Sequence, residues 1–377
     1  MSEARVTNLS NESNSGGPTI SGITTFSGAN YFVPPVGNTA ERPENAEPGS
    51  IRFNIDSKHL EYFKGDTLNW ESINRTTPNL NGGARGICAF GRVGPASVNT
   101  IDYITISTLG NAADFGDRTV TTRRYGCASS RTRMCMGGGY TGSSDTDTID
   151  YITMASTGNA TDFGNLLAVA RTIAGLSNAT RGVFAGNESP TQLNVIQYIT
   201  IAQTGNAVDF GDTTRTGHQA TTCSSSTRGL LAGVYGSPGN DNRIDYITIA
   251  TTGNAVDFGD MTTAANARGG GSNAVRGIFA GGYASPNVVN TIDYVTIATL
   301  GNALDFGDMS TAANCPNGVP TSPTRIVFGG GYGVSPFPRI NTIQYLEIMT
   351  TGNTVDFGDV TQKRRHIKGC SNAHGGL

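Results

Sequence analysis

The sequence predicts an all-β fold, a six-bladed β-propeller preceded by a small β-module. Three observations predict it. A phrase related to Ile-Asp-Tyr-Ile-Thr-Ile occurs six times, with its tyrosines 48, 47, 48, 48 and 51 residues apart. An Asp-Phe-Gly phrase repeats in the same register. Each unit also holds four short strand patterns, as expected for one propeller blade.

The order of strands within a unit follows from local patterns. β-branched residues dominate 101–106 and alternate positions differ in character, which predicts a strand with two unlike faces. Gly110 and Asn111 tolerate positive φ and predict a turn, after which the Asp-Phe-Gly segment returns as a second strand. An arginine opening an apolar run, as in 181–186, predicts a third strand. The run of small residues at 173–177 predicts a fourth.

The last residues of the chain predict closure of the propeller. Residues 365–372 are similar to 171–178, so they supply one more first strand without the rest of a unit. Residues 77–84 are a poor first strand for unit one. Pairing of 365–372 with unit one would leave no exposed sheet edge.

Residues 1–77 lie outside the repeat. Residues 1–19 are rich in Ser, Asn and Gly and predict a flexible or partner-ordered arm, followed by a module at 20–77 and the propeller at 78–377. Residues 50–54 and 60–63 alternate at period two around a turn, which predicts a hairpin. The aromatic residues expected to dock this module on a partner are Tyr31, Phe32, Phe53, Tyr62 and Trp70.

The repeat units resemble the kelch repeat of β-propellers. They share its order of a small-residue strand, an apolar strand ending in glycines, a tyrosine strand and an aromatic strand followed by arginine. Gly137–Gly139, Gly281–Gly282 and Gly329–Gly331 stand where that family has its glycine doublet. The units depart from it in having Phe for Trp throughout and a degraded doublet in units one, three and four. The resemblance implies a kelch-like architecture and no particular activity.

A second resemblance concerns the module. The segments 31–35, 49–54 and 60–65, with Trp70, resemble a small β-module of tailed-bacteriophage virion proteins, especially of phages that infect marine cyanobacteria. The repeats are also similar to propeller regions of such proteins. The resemblance implies a structural or appendage protein of the tail, neck or capsid, assembled in the host cytoplasm. It would dock through its N-terminal region on other virion proteins, be oligomeric in the particle and display the propeller. The alternative is a glycan-binding, receptor-recognition propeller of the adhesin type.

Composition excludes several other partners. Net charge is −3, and only four of the 26 basic residues are lysines, so no broad cationic face for nucleic acid is expected. No stretch approaches the ~20 apolar residues of a membrane span. The polar N-terminus lacks the apolar region of a secretory signal. Six cysteines without a CxxC motif are interpreted as buried thiols rather than metal ligands or disulfides.

No catalytic set is recognised. Asp-Phe-Gly occurs at every unit without the other kinase motifs, no Gly-x-Ser-x-Gly elbow is present, and the four histidines are scattered. His366 and His374 are assigned to the closing strand. A hydrolase or oxidase propeller would need acids, histidines or metal ligands at its channel. We therefore predict a protein that is not an enzyme and has no catalytic residue, cofactor or metal.

Repeated aspartates, such as Asp257 and Asp260, leave a calcium alternative open. Asp side chains capping their own turns explain the same pattern. The six arginines that open the apolar strands are expected to bridge adjacent blades to these carboxylates rather than to bind a ligand.

The loops before the tyrosine strands differ most between units. They span 92–100, 141–148, 187–194, 234–243, 283–291 and 332–342. Insertions in repeat proteins map to one face, so these loops predict a contact surface for protein or glycan. Its candidate binding residues are Tyr140, Tyr235, Tyr283 and Tyr332.

Overall fold

The structure, a computed structural model, describes residues 34–44, 46–56, 58–65, 70–73, 84–188, 191–237, 239–316, 319–334 and 336–377. Tyr31, Phe32 and the predicted arm lie outside these residues. The chain divides into two compact units, Met1–Thr77 and Pro78–Leu377. The described residues form strands and turns with one short 3-10 helix, which confirms the predicted all-β class.

The first unit contains one four-stranded sheet. Its strands are β1 (Val36–Gly37), β2 (Ile51–Asn54), β3 (His59–Phe63) and β4 (Trp70–Ile73), hydrogen-bonded in that order. β1 is parallel to β2, and the other pairs are antiparallel. The 3-10 helix Thr39–Glu41 follows β1 and begins with a capping box on Asn38.

Six further sheets make up the second unit, and the first two have four strands each. Sheet 1 contains β5 (Arg85–Val93), β6 (Ala96–Thr105) and β7 (Ala113–Thr122), and its fourth strand comes from the far end of the chain. Sheet 2 contains β8 (Gly126–Ser129), β9 (Arg133–Gly137), β10 (Thr146–Thr153) and β11 (Thr161–Ala170).

Sheets 3 and 4 repeat the four-stranded pattern. Sheet 3 contains β12 (Ala174–Ser177), β13 (Arg181–Asn187), β14 (Leu193–Thr200) and β15 (Val208–Asp212). Sheet 4 contains β16 (Thr221–Ser224), β17 (Arg228–Ala232), β20 (Arg243–Thr248) and β21 (Val256–Asp260). The loop of sheet 4 forms a small ribbon, β18 (Tyr235–Gly236) with β19 (Gly239–Asn240).

Sheets 5 and 6 complete the series. Sheet 5 contains β22 (Gly269–Ser272), β23 (Arg276–Ala280), β26 (Thr291–Thr296) and β27 (Leu304–Asp308), with a ribbon of β24 (Tyr283–Ala284) and β25 (Asn287–Val288). Sheet 6 contains β28 (Arg325–Tyr332), β29 (Arg339–Glu347) and β30 (Val355–Asp359). A single bridge, Thr321 with Ile326, stands in place of its first strand.

Both ends of the second unit contribute to sheet 1. β31 (Lys368–Ser371) pairs antiparallel with β5, with Cys370 opposite Ile87. The strand predicted from residues 365–372 therefore exists and pairs with unit one. The alternative first strand at 77–84 lies outside the described residues except for Ala84.

Apolar clusters join each sheet to the next. Phe184 of sheet 3, for example, packs with Cys135 and Ile149 of sheet 2. Another cluster contains Val327 and Phe357 of sheet 6 together with Cys88 of sheet 1. Clusters of this kind therefore join sheet 2 to sheet 3 and sheet 6 to sheet 1.

The Asp-Phe-Gly phrase forms a β-bulge, not a catalytic motif. In sheet 2, Asp162 and Gly164 pair with consecutive residues of β10, so Phe163 is the extra residue of the bulge. Its carbonyl accepts a hydrogen bond of 2.8 Å from the Gly205 amide of sheet 3. Gly164 has a φ of +146°, and a Cβ there would lie 2.4 Å from the Gly205 carbonyl oxygen. Close approach of the next sheet therefore requires glycine at this position.

The asparagine of each Gly-Asn turn extends the same junction. Asn206 Oδ1 accepts from the Asn165 amide at 3.0 Å. Asn111 of sheet 1 does the same for Asp359 of sheet 6, also at 3.0 Å. Contacts between neighbouring sheets therefore explain both the Asp-Phe-Gly phrase and the Gly-Asn turn.

The six repeat arginines bridge adjacent sheets, but the carboxylate partners expected from the sequence are wrong. Arg133 Nη1 donates to the Ala202 carbonyl of sheet 3 at 2.9 Å, and its guanidinium lies 4.6 Å from the Tyr151 ring centroid. Arg325 donates similarly from sheet 6 to the Ser107 carbonyl of sheet 1. Main-chain carbonyls at the ends of the tyrosine strands point at the neighbouring sheet, whereas Asp162 is exposed to solvent. The carbonyls therefore take the guanidinium bonds.

Buried ion pairs occupy a different position, which sequence reasoning missed. Arg118 of sheet 1 and Asp150 of sheet 2 have fully buried side chains 2.7 Å apart. Two more buried pairs, Arg268 with Asp293 and Arg364 with Asp102, use the same aspartate position, but their arginines lie just before β22 and β31. The available signal was the repeated aspartate of the Ile-Asp-Tyr phrase, which lies between two apolar positions of a strand.

Candidate functional site: the rim of the central cavity

Hydroxyl groups link the first strands of sheets 2 to 4 to one another. Ser177 Oγ donates to the Ser129 carbonyl at 2.8 Å, and Ser224 Oγ donates to the Ser177 carbonyl at 2.8 Å. Ser371 of β31 continues the series, since its carbonyl accepts from Ser129 and its hydroxyl donates to the Thr321 carbonyl. These side chains recur once per unit and hold the inner strands side by side.

The inner strands enclose a cavity of about 70 Å³, here called the central cavity. All six sheets line it, with small residues such as Gly175, Gly270 and Gly369 keeping it open. His374 also lines it, and its Nε2 lies 2.9 Å from the Ser129 carbonyl oxygen. Such a volume holds a few water molecules.

A second cavity, of about 20 Å³, is lined by one residue from the start of each inner strand. These residues and Lys368, together called the rim, are Arg124, Thr172, Gln219, Ala267, Cys315 and His366. The six that lead into the inner strands have φ between +54° and +61°, the left-handed region that non-glycine residues seldom adopt. Strain of this kind is tolerated where the surroundings fix the backbone, often at functional sites.

Lys368 is a lining residue of both cavities. Burial lowers the pKa of its ammonium group. In the described part of the chain, no carboxylate forms an ion pair with Lys368. The side chain without an ion pair is therefore that of a residue shared by the rim and the central cavity.

Sheets 1 to 3 give the rim an excess of positive charge. Arg124 binds Glu188 through two contacts of 2.8 and 3.0 Å, and Arg171 lies 3.7 Å from both Glu188 and Asp145. Although burial opposes it, the Thr172 hydroxyl and then the Arg124 guanidinium hold the pKa of Glu188 below its usual value. Sheets 4 to 6 contribute neutral side chains at the matching positions.

Burial and neighbouring positive charges lower the pKa values of Arg365 and His366. Burial and then the neighbouring Arg92 lower the pKa of Arg365 to about 10. Burial and then Arg124 depress the pKa of His366 well below its usual range, so its imidazole is neutral. The ring faces Cys315, with Nδ1 3.7 Å from Sγ, while its buried Nε2 has no hydrogen-bond partner in the described residues.

The predicted binding tyrosines stand beside the rim, at the start of the loops that differ between units. Tyr140, Tyr235, Tyr283 and Tyr332 form matching bridges to the residues just before the left-handed ones. Tyr332 lies under the Arg365 guanidinium at 4.3 Å, and Tyr140 lies under Arg123 at 4.7 Å. The structure thus places all four at equivalent positions around one end of the cavity.

The remaining candidate features of the sequence are the cysteines, a metal site and a membrane span. The Cys127 and Cys370 thiols lie 3.0 Å apart in the wall of the central cavity, and all six cysteines are free. In the described part of the chain, no three His, Cys, Asp or Glu side chains lie close enough to hold a metal ion. The described residues also contain no helix long and apolar enough to cross a bilayer.

In the N-terminal sheet, the docking candidates lie on two faces. Phe53 and Tyr62 share a face with Ile51 and Leu60, which are 50% and 39% exposed. Trp70 is opposite Phe63, with ring centroids 5.5 Å apart, and donates to the Pro43 carbonyl. The other face of the hairpin carries the buried Glu61, which accepts bonds of 2.6 Å from Arg42 and Asn54. The face with Phe53 is therefore the more apolar and open one.

Sequence reasoning missed the cationic residues of the rim, because they occupy repeat positions that carry no shared residue type. A register comparison of the six units would have placed Arg124 and His366 at equivalent positions. It would not have shown that Arg124 and Lys368 line the same cavity. No protein-family model and no curated protein sequence matches this chain.

Proposed function

We propose that this chain is a non-enzymatic structural protein of a tailed-phage particle, built as a closed six-bladed kelch-like propeller. Residues 1–77 dock it on other virion proteins. The rim and the adjoining variable loops contact a neighbouring protein or a host-surface glycan. The virion assignment rests on the resemblance of residues 31–70 and of the repeats to phage proteins.

One observation supports both the proposed propeller and its proposed binding role. Residues common to all units hold the sheets together: the glycines and phenylalanines of the bulges, the turn asparagines and the repeat arginines. Residues that differ between units gather at the rim and the loops beside it. Such a division between a repeated scaffold and one variable end is typical of repeat proteins that bind partners.

Deletion of the N-terminal unit tests the docking role. A chain starting near residue 78 should fold with an unchanged thermal midpoint but be absent from assembled particles, as measured by immunoblotting of purified virions. The matched control is the full chain carrying the same tag. Normal incorporation of the shortened chain would refute the docking role.

Replacement of two loops tests the contact surface. Exchanging 141–148 and 283–291 for Gly-Ser turns removes loop side chains while leaving the bulges and the turn asparagines in place. We expect nearly unchanged thermal stability and weaker contact with a neighbouring virion protein or host glycan, measured by surface plasmon resonance and glycan arrays. Lost folding with unchanged binding would contradict this assignment, because the loops would then be structural.

A further inference from the structure

The charges at the rim are unbalanced. Arg124 and Lys368 belong to the rim, and four further cationic side chains lie beside it: Arg92, Arg123, Arg171 and Arg365. The described contacts of this group include only two carboxylates, Glu188 and Asp145. The two carboxylates serve Arg124 and Arg171. Arg365 and Lys368 form no ion pair within the described part of the chain.

Buried nitrogen atoms at the rim and beside it also lack hydrogen-bond partners. The Nε atoms of Arg124 and Arg365 and the Nε2 atom of His366 are buried without a partner among the described residues. Unpaired buried donors of cationic groups cost free energy, and so does the proximity of like charges. Binding of an oxyanion would reduce both costs, because an oxyanion accepts several hydrogen bonds and carries negative charge.

We propose that the rim binds a small oxyanion, a carboxylate or phosphate group carried by an acidic saccharide, with Lys368, Arg365 and Arg124 as its cationic partners. This rests on the proposed binding function and names the ligand class. The cavity of about 20 Å³ is too small for a sugar ring, so only the anionic group of the ligand would approach it. Lys368, which lines both cavities, would hold that group.

The remainder of the rim suits the neutral part of such a ligand. Gln219 lines the cavity from the segment before sheet 4, and Tyr235 in the loop of the same sheet is 41% exposed. Amide and phenol groups exchange hydrogen bonds with sugar hydroxyls, and tyrosine rings offer an apolar face. The cationic and neutral halves together fit a saccharide that bears one acidic group.

The test measures thermal stability of the full chain at constant ionic strength and pH 7. Sodium phosphate and sodium glucuronate are the two anionic probes, compared with sodium chloride and with glucose. A bound anion stabilises the folded state according to its concentration relative to the dissociation constant. We expect a saturable rise in the midpoint with at least one anion and none with glucose. A response to glucuronate alone identifies the carboxylate as the group bound, and a response to phosphate alone identifies the phosphate.

Two variants locate the site. Lys368→Met and Arg365→Gln should each weaken anion binding roughly tenfold, as expected for loss of one charge-assisted contact. In chloride alone they should melt at or above the wild-type temperature, since repulsion at the rim is relieved. Lys363→Met, at an exposed position, is the control and should behave as the wild type.

Two results would overturn the proposal: no saturable rise with either anion, or an equal rise in Lys368→Met and Lys363→Met. Particle incorporation is scored separately. Incorporation without anion binding refutes this inference alone, whereas anion binding by a chain that is absent from particles refutes the proposed function alone.

Discussion

Replacing Arg118 by leucine should destabilise the protein by about 3–5 kcal/mol, because it leaves Asp150 charged and buried without its partner. Arg118 binds Asp150 at 2.7 Å and also donates to the Gly138 and Thr148 carbonyls at 3.0 Å. These bonds join sheets 1 and 2 at a fully buried point. We expect the thermal midpoint, measured by calorimetry, to fall by several degrees.

The next junction supplies a matched rescue. Between sheets 2 and 3, Leu166 and Gln197 stand where Arg118 and Asp150 stand between sheets 1 and 2, and the Leu167 amide donates to Gln197 at 2.8 Å. The double variant Arg118→Leu with Asp150→Gln should therefore recover most of the loss. Arg131→Leu, at an exposed position, is the control. A double variant as unstable as the single one would contradict this account.

Removing residues 365–377 should have the largest effect on the second unit. β31 pairs with β5 from Lys368 to Ser371, and Ile367 and Ala373 belong to the cluster between sheets 6 and 1. Without them, β5 loses a paired neighbour and presents an open edge. We expect loss of the cooperative unfolding transition and aggregation, measured by calorimetry and light scattering.

A shorter deletion and a peptide serve as controls for this result. Removal of 374–377 alone keeps β31 and should lower the midpoint only moderately, since His374 binds the Ser129 carbonyl. A peptide of residues 365–377 should restore soluble protein when mixed with the shortened chain. An unchanged melting profile after removal of 365–377 would show that the sheets do not depend on this strand.

Local sequence patterns were sufficient to predict the class and order of the elements. The tyrosine strands, the Gly-Asn turns and the small-residue inner strands were all predictable, because alternation and turn preferences act over a few residues. The pairing of residues 365–372 with unit one followed from their similarity to 171–178. Aromatic residues at Phe53 and Tyr62 were predicted as candidates, but their shared face depends on the register of β2 and β3.

Long-range contacts decided the chemistry of the second unit. Asp150 is fully buried, and its partner Arg118 belongs to another sheet. The repeat arginines donate to carbonyls of the next sheet because only the packed sheets bring those carbonyls within reach, and Arg325 also pairs with Glu347 of its own sheet. Neither outcome follows from a single unit read alone.

The rim is the clearest product of tertiary structure. Arg124 and Lys368 are 244 positions apart in the chain, and composition indicated no cationic surface. They meet because the inner strands of sheets 1 and 2 adjoin, and because left-handed residues turn each strand toward the cavity. Local pattern fixes which residues are strands, since it depends on neighbours in sequence. The charge at the cavity depends on which sheets become neighbours in space, and those neighbours are set only when the whole unit folds.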